Sequence, residues 1–414
     1  RLDFEIGDVE TEYPPIVVKY WQVALIQWLK TIYKLKLKTG SSINRTYLGD
    51  ELLAYEVLEA AFEKYYAINY SGGDPTEFRR KHFFEWSKKA INKVKDGEIE
   101  PKKYGLRKIG FKINSVSQET SRFGLVNEYV DAENYKQSAQ GTPKINGRRE
   151  TALTILDEAQ RKGCDMLIQP ELAVPHYFLA DYCQYSDRHQ MGIVAGIEHL
   201  RADNVIFNFI LTVLPIKIDG IYKDSIPVLR LKNHYAHIEE VMVNGFQATV
   251  PKPRVYDYHL FQWRGLYFTN YYCYELADIN HRTIFQGEID VLIAPVWNPD
   301  TNYYNGIVET SAREIHCVFS QVNTANYGDT RWTVPKKTEL KNPIVLKGGT
   351  TKDHSYILAL AEISPKELRE FQFLDYNLQK QKGSFKPTPP DFPKDSVNIR
   401  LKGGSFYKNE KKWK

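Results

Sequence analysis

Between Val17 and about Lys95 apolar side chains recur at steps of three and four, which predicts helices. Leu52, Leu53, Val57, Leu58, Ala61 and Phe62 share one face by this spacing. Asp74-Pro75-Thr76-Glu77 then offers a capping carboxylate, a proline at the first helical position and an acid at the third. That start predicts a second helix through Phe78, His82, Phe83, Trp86, Ala90 and Ile91, closed by Lys95-Asp96-Gly97. The polar stretch from Gly97 to Lys103, broken by Pro101, is the expected linker.

After residue 105 short apolar runs alternate with helix-like segments, the pattern of an α/β sheet. The expected strands are Leu106 to Ile113, Met166 to Gln169, Ile193 to Ala195, Val205 to Leu214, Ile226 to Leu231, Leu266 to Tyr272, Val291 to Pro295, Val318 to Val322 and Tyr356 to Ala361. Asp165-Met166-Leu167-Ile168-Gln169-Pro170-Glu171 and Asp290-Val291-Leu292-Ile293-Ala294-Pro295-Val296-Trp297-Asn298 run alike, each ending in a proline that stops pairing and turns the chain outward. Residues just past such strand ends line the ligand crevice of an open sheet. The polar, helix-poor stretch from Asn127 to Arg149 is placed over that crevice. From Gln379 onward the cluster Pro387, Pro389, Pro390, Pro393 predicts an extended tail.

Of 414 residues, 42% are hydrophobic, which excludes disorder for the bulk of the chain. Lysine and arginine number 56 against 51 acids, a net charge of +5. Arg400, Lys402, Lys408, Lys411, Lys412 and Lys414, against Glu410 alone, account for that excess. Nucleic-acid binding would therefore rest on this tail or on a patch that the overall composition hides. Cys164, Cys183, Cys273 and Cys317 are irregularly spaced with no CxxC pair, which points to free thiols in a reducing compartment, the cytoplasm. The apolar stretch from Ile16 to Trp28 is interrupted by Lys19 and falls short of the ~20 residues of a membrane span. No signal peptide is visible, and the first residue, Arg1, suggests a fragment or processed product.

Glu171, Lys232 and Cys273 each follow an expected strand. Cleaving an amide or nitrile through a covalent intermediate needs a nucleophile, a base and a positive group for the oxyanion, and these three residue types can fill those posts. Taken singly, each has a plainer reading as a buried thiol, a helix cap or a surface charge. His234-Tyr235-Ala236-His237 beside Glu239 and Glu240 lacks the further ligands of a zinc site, so no metal is expected. Lys347-Gly348-Gly349-Thr350 has its lysine on the wrong side of the glycines for a phosphate loop and reads as a turn.

Together the three residues stand in motifs that resemble the nitrilase, or carbon-nitrogen hydrolase, superfamily. Leu167-Ile168-Gln169-Pro170-Glu171-Leu172 matches its first signature, Leu229-Arg230-Leu231-Lys232-Asn233-His234 its second, and Tyr272-Cys273-Tyr274-Glu275-Leu276 with Arg282 its third. Pro295-Val296-Trp297-Asn298, Ala312-Arg313-Glu314 and Gln321-Val322-Asn323 extend the likeness, which runs from about 105 to 365. The run Tyr267-Phe268-Thr269-Asn270-Tyr271-Tyr272 before the cysteine is bulkier and more polar than the family's. The resemblance implies a four-layer α-β-β-α sandwich over 104–378, preceded by a mostly helical region, 1–103, and followed by an extended basic tail, 379–414. It implies Cys273 as nucleophile, Glu171 as general base and Lys232 as oxyanion holder. Glu240 would be a second glutamate beside the substrate, the backbone N–H of Tyr274 part of the oxyanion hole, and Trp297 and Asn298 pocket residues.

The function expected is hydrolysis of a small amide, carbamoyl or nitrile group through a thioester or thioimidate, by a homo-oligomer without cofactor. The alternative is an accessory module, with residues 1–103 and 400–414 contacting protein or nucleic acid. It is similar to the nitrilase-like domains attached to bacterial reverse transcriptases in anti-phage defence. No Tyr-x-Asp-Asp polymerase motif occurs; Tyr129-Val130-Asp131-Ala132 is the nearest.

Overall fold

The computed structural model describes residues 18–38, 54–70, 72–91, 105–253, 255–336, 344–350 and 356–406. Helix α1 (Tyr20–Lys38) is followed by α2 (Ala54–Asn69), α3 (Pro75–His82) and strand β1 (Phe84–Ile91). Asp74 caps α3 as expected, its side chain accepting from the Thr76 amide at 2.8 Å. The helix predicted to run on to Ile91 ends at His82 instead. Phe84 and Trp86 alternate with Glu85 and Ser87, so a period of two fits as well as a helical one, and pairing with β2 (Gly105–Ile113) decides for a strand. Leu52, Leu53 and the expected linker lie outside the described residues.

The remaining strands are β3 (Ser121–Glu128), β4 (Met166–Ile168), β5 (Gly192–Gly196), β6 (Leu200–Ala202), β7 (Val205–Phe207), β8 (Phe209–Ile218), β9 (Tyr222–Leu231), β10 (Val255–Trp263), β11 (Leu266–Asn270), β12 (Val291–Pro295), β13 (Val318–Val322), β14 (Arg331–Thr333), β15 (Ile344–Lys347) and β16 (Tyr356–Ile363). The helices among them are α4 (Ala132–Gln140), α5 (Arg148–Arg161), α6 (Leu179–His189), α7 (His237–Gly245), α8 (Ile279–Arg282), α9 (Thr301–Ser311), α10 (Pro365–Phe373), α11 (Tyr376–Lys382) and α12 (Lys394–Leu401).

Two large sheets form, in the orders β1-β2-β10-β11-β12-β13-β14-β15 and β16-β3-β4-β5-β8-β9, and β6 pairs with β7 in a small antiparallel sheet. The two large sheets face each other: Phe111, Phe261, Phe268 and Ile293 of the first share one core with Phe123, Leu125, Met166 and Leu211 of the second. Polar bonds also cross the layer, from Trp263 Nε1 to the Pro215 carbonyl at 3.1 Å and from Asn270 Nδ2 to Thr212 Oγ1 at 2.7 Å. On the outer face of the first sheet Leu292, Ala294 and Phe319 pack with Tyr304, Ile307, Val308 and Ile315 of the α9 segment. Helices α5 and α6 cover the second sheet, burying Ile155, Leu156, Ala159, Tyr182 and Cys183. The result is a four-layer α-β-β-α sandwich.

Both ends of the chain add to this body beyond the expected limits of 104 and 378. Asp224 of β9 receives the Tyr20 amide at 2.8 Å, capping α1, and Tyr20, Trp28, Leu58 and Phe62 join the central core. The apolar faces of α1 and α2 are thus occupied by the sandwich. Residues expected as an extended tail form α11 and α12 instead, because Val397 and Arg400 are buried against the body. Arg400 Nη1 and Arg369 Nε bond the buried carboxylate of Asp290 at 2.6 and 2.8 Å. Arg400 is therefore not part of a free basic end, and residues 407–414 lie outside the described residues. Among the described residues no helix is long and apolar enough to cross a membrane.

Candidate active site

Glu171 lies just past β4, where Pro170 has ended pairing. Gly196, at the end of β5, passes so close that a β-carbon there would stand 2.7 Å from the Pro170 carbonyl oxygen and inside contact with the Glu171 backbone. The amides of Ala173 and Val174 both bond the Gly196 carbonyl at 3.1 Å, pinning the turn. Leu172 adopts a left-handed φ of 61°, unusual for a branched side chain, so the backbone next to Glu171 is strained.

Lys232 follows β9, and its amide donates to the Asn208 carbonyl at 2.9 Å. Its ammonium, 1% exposed, meets Glu171 Oε1 at 2.8 Å and Glu239 Oε1 at 2.6 Å. Asn208 Nδ2 donates to the same Glu171 oxygen at 2.9 Å. The rings of Tyr235 and Tyr272 flank the ammonium at 5.3 and 5.4 Å.

Of the two adjacent glutamates, Glu239 and not Glu240 reaches Lys232. Helix α7 starts at His237, which puts Glu239 at its third position, where Oε2 accepts the Ala236 amide at 2.8 Å and Oε1 is left for Lys232. Glu240, one residue around the helix, pairs with Lys252 at 3.3 Å instead.

Cys273 is partly exposed and begins a short 3-10 turn, Tyr274–Ala277. Glu275 fixes that turn: it accepts from the Tyr272 amide at 2.8 Å, the Asn233 amide at 2.7 Å, and Arg230 Nη1 and Nη2 at 2.8 and 2.7 Å. Burial opposes ionisation of Glu275, yet Arg230 and these amides hold its carboxyl below the usual range. The Tyr304 hydroxyl of α9 donates to the Cys273 carbonyl at 2.9 Å. Glu171 and Lys232 meet directly, and both act electrostatically on the Cys273 thiol.

Their charges set each other. Two carboxylates around one ammonium leave an excess negative charge in a dry site. Burial, with Glu239 adding to it, raises the Glu171 carboxyl to about 7 although Lys232 opposes the shift. Burial works against the charge on Lys232 too, but Glu171 and Glu239 outweigh it and keep the ammonium protonated. Desolvation and then Glu171 push the Cys273 thiol up to about 12, with Lys232 and the Tyr304 hydroxyl pulling the other way.

Around this centre α4 occupies the stretch expected to be helix-poor. Asp131 caps it and Gly141, in the left-handed region, ends it. It presents Tyr135, whose ring packs on Trp297 at 5.2 Å and His199 at 4.8 Å. Tyr135 Oη, Trp297 Nε1 and both His199 ring nitrogens are buried without a hydrogen-bond partner among the described residues. Asn298 does not belong with them: its Oδ1 accepts the Asp300 amide at 2.9 Å and closes a turn. The Tyr274 side chain is 43% exposed, so only its backbone remains for the expected role.

Asn208, Glu239, Tyr135 and His199 have no role in the reading of the sequence, and Glu275 enters it only as the acid of the third signature. An asparagine inside the apolar run from Val205 to Leu214 is the one available sign, and it marks the break between β7 and β8.

No family model matches the chain, and no curated protein matches it. Among solved structures it is similar to XC1258 from Xanthomonas campestris, described as a CN-hydrolase superfamily protein, at 15% identity over 62% of this chain and 94% of that one, with a TM-score of 0.45. An amidase from Nesterenkonia sp. is 12% identical over 65% of this chain and 99% of its own, with a TM-score of 0.42. The glutamine-dependent NAD+ synthetase from Acinetobacter baumannii is 15% identical over 61% of this chain and 47% of its own, with a TM-score of 0.39. In this chain Lys232 contacts Glu171 directly, and both charges act on the Cys273 thiol.

Proposed function

We propose that the chain is a thiol hydrolase of small amide, carbamoyl or nitrile carbon-nitrogen bonds. The observation that carries this reading is the buried contact of Lys232 with Glu171 at 2.8 Å beside the Cys273 thiol. A thiol held near 12 does not ionise alone at neutral pH, and a carboxylate near 7 is suited to take its proton. The transfer neutralises Glu171, which removes the carboxylate that had opposed the thiolate, while Lys232 stays positive beside the sulfur.

The thiolate then attacks the substrate carbon and pushes the π electrons onto oxygen. Lys232, with the backbone N–H of Tyr274, bears the oxyanion. Glu171 returns its proton to the leaving nitrogen as the carbon-nitrogen bond breaks, leaving a thioester. Water, deprotonated by Glu171, attacks that thioester and releases the acid and the thiol. A nitrile instead adds the thiol across its triple bond, with the proton of Glu171 going to nitrogen to give a thioimidate; a first water then displaces ammonia to leave the thioester, which a second water hydrolyses. Tyr135 Oη, Trp297 Nε1 and His199 supply the polar atoms that recognise the rest of the substrate.

Intact-mass measurement after incubation with a panel of amides and nitriles tests this. The expected result is an acyl adduct on the wild-type chain that is missing in Cys273→Ala. An adduct that survives in the alanine variant removes Cys273 from the chemistry.

A further inference from the structure

Past the ends of β9 and β11 a second group of side chains meets, outside the Glu171, Lys232 and Cys273 pocket. His234 stands two positions beyond Lys232, while Asp278 and His281 flank the start of α8, beyond the Cys273 turn. Their donor atoms all lie within 4.8 Å of one another. His281 Nδ1 is the hub, with His234 Nε2 at 2.9 Å, the Tyr258 hydroxyl at 3.0 Å and Asp278 Oδ2 at 3.8 Å. An imidazole nitrogen carries either one proton or one lone pair, so it satisfies one of these neighbours and not all three. A cation between His234 Nε2, His281 Nδ1 and Asp278 Oδ2 is met by those three donors together.

The surroundings hold the donors in place. Asp278 Oδ1 accepts the Asn280 and His281 amides at 2.9 and 3.3 Å, which leaves Oδ2 for another partner. The His281 carbonyl accepts the Tyr271 hydroxyl at 2.8 Å, fixing the backbone that carries the ring. The Asp278 side chain is 35% exposed, so an ion and its water can enter from solvent. His237, the partner that sequence spacing offered His234, is exposed on α7.

We propose that His234, His281 and Asp278 bind one divalent ion of the zinc class, with water from the open side completing a tetrahedron. Two neutral imidazoles and one carboxylate form a donor set that favours such an ion over calcium or magnesium. Bound there, it ties the segment after Lys232 to the helix after Cys273.

Calorimetric titration of the full chain with Zn2+, after chelator treatment, tests the proposal. One equivalent binds, and the same stoichiometry persists in Cys273→Ala, which removes the partly exposed thiol as an alternative ligand. His234→Gln and Asp278→Asn each weaken binding by about tenfold or more. Asparagine caps a helix as well as aspartate does, so Asp278→Asn keeps the start of α8 intact. Zn2+ accordingly raises the melting temperature of wild type but not of this variant. Absence of stoichiometric binding, its loss in Cys273→Ala, or binding unchanged by both ligand substitutions overturns the proposal.

Discussion

Glu239 holds the ammonium of Lys232 at 2.6 Å while its other oxygen caps the helix that carries it. Its negative charge is one reason that the Glu171 carboxyl lies near 7, after burial itself. For a general base, activity rises as pH passes that value. Removing the like charge lowers it, so in Glu239→Gln the ascending limb of the kcat/KM profile moves to lower pH. Glu240→Gln leaves the limb in place and stability within about 0.5 kcal/mol. An unmoved limb in Glu239→Gln would break the link between the two carboxylates.

The same shift has a thermodynamic sign. Glu171 binds its proton more tightly folded than unfolded, so its contribution to stability is full below the ordinary carboxylate range and declines as pH rises through about 7. Denaturant midpoints followed from pH 4 to 8 carry this slope in wild type, and Glu171→Gln loses it.

Cys273→Ala, Glu171→Gln and Lys232→Arg each lower kcat by about 10⁴-fold or more, and the double variant Glu171→Gln/Cys273→Ala is no worse than either single one, because members of a catalytic unit fail together. Circular dichroism shows the fold retained. Independent, multiplying losses in single-turnover assays would contradict a shared step.

Gly196→Ala places a methyl group against the Glu171 backbone. Displacing the base by a fraction of an ångström to one ångström lowers kcat by about 10²-fold while the thiol still reacts with iodoacetamide. Wild-type turnover would show that the strand end can yield without moving Glu171.

Asp290 bonds Arg369 and Arg400 in a buried site. Asp290→Ala leaves two buried guanidinium groups uncompensated and costs about 3–5 kcal/mol in urea unfolding. The two arginines hold the Asp290 carboxyl below its usual range against burial, so in wild type this contribution is present above that range and lost only in strong acid.

Strands β2, β4, β5, β11, β12 and β13 were legible in the sequence because each is an apolar run, whereas β3 and β10, broken by polar residues, were not among the expected strands. Element boundaries were not legible. From Phe83 to Ile91 two periodicities fit the same residues, and only pairing with β2 selects the strand. Choosing between Glu239 and Glu240 requires the rotational phase of α7, which a one-residue change in its first turn reverses. Asn208, Tyr135 and His199 reach the site from elements whose placement depends on how the two sheets stack. Arg400 escaped notice because a cation near a proline-rich, lysine-bearing end looks solvated until its buried acid is known.

Asp290 leaves the ribosome 110 positions ahead of the guanidinium of Arg400 that helps neutralise it. Arg369, its other partner, follows Asp290 by 79 positions. The buried carboxylate at the root of β12 therefore gains both of its cations only late in synthesis, after Glu171, Lys232 and Cys273 have been made.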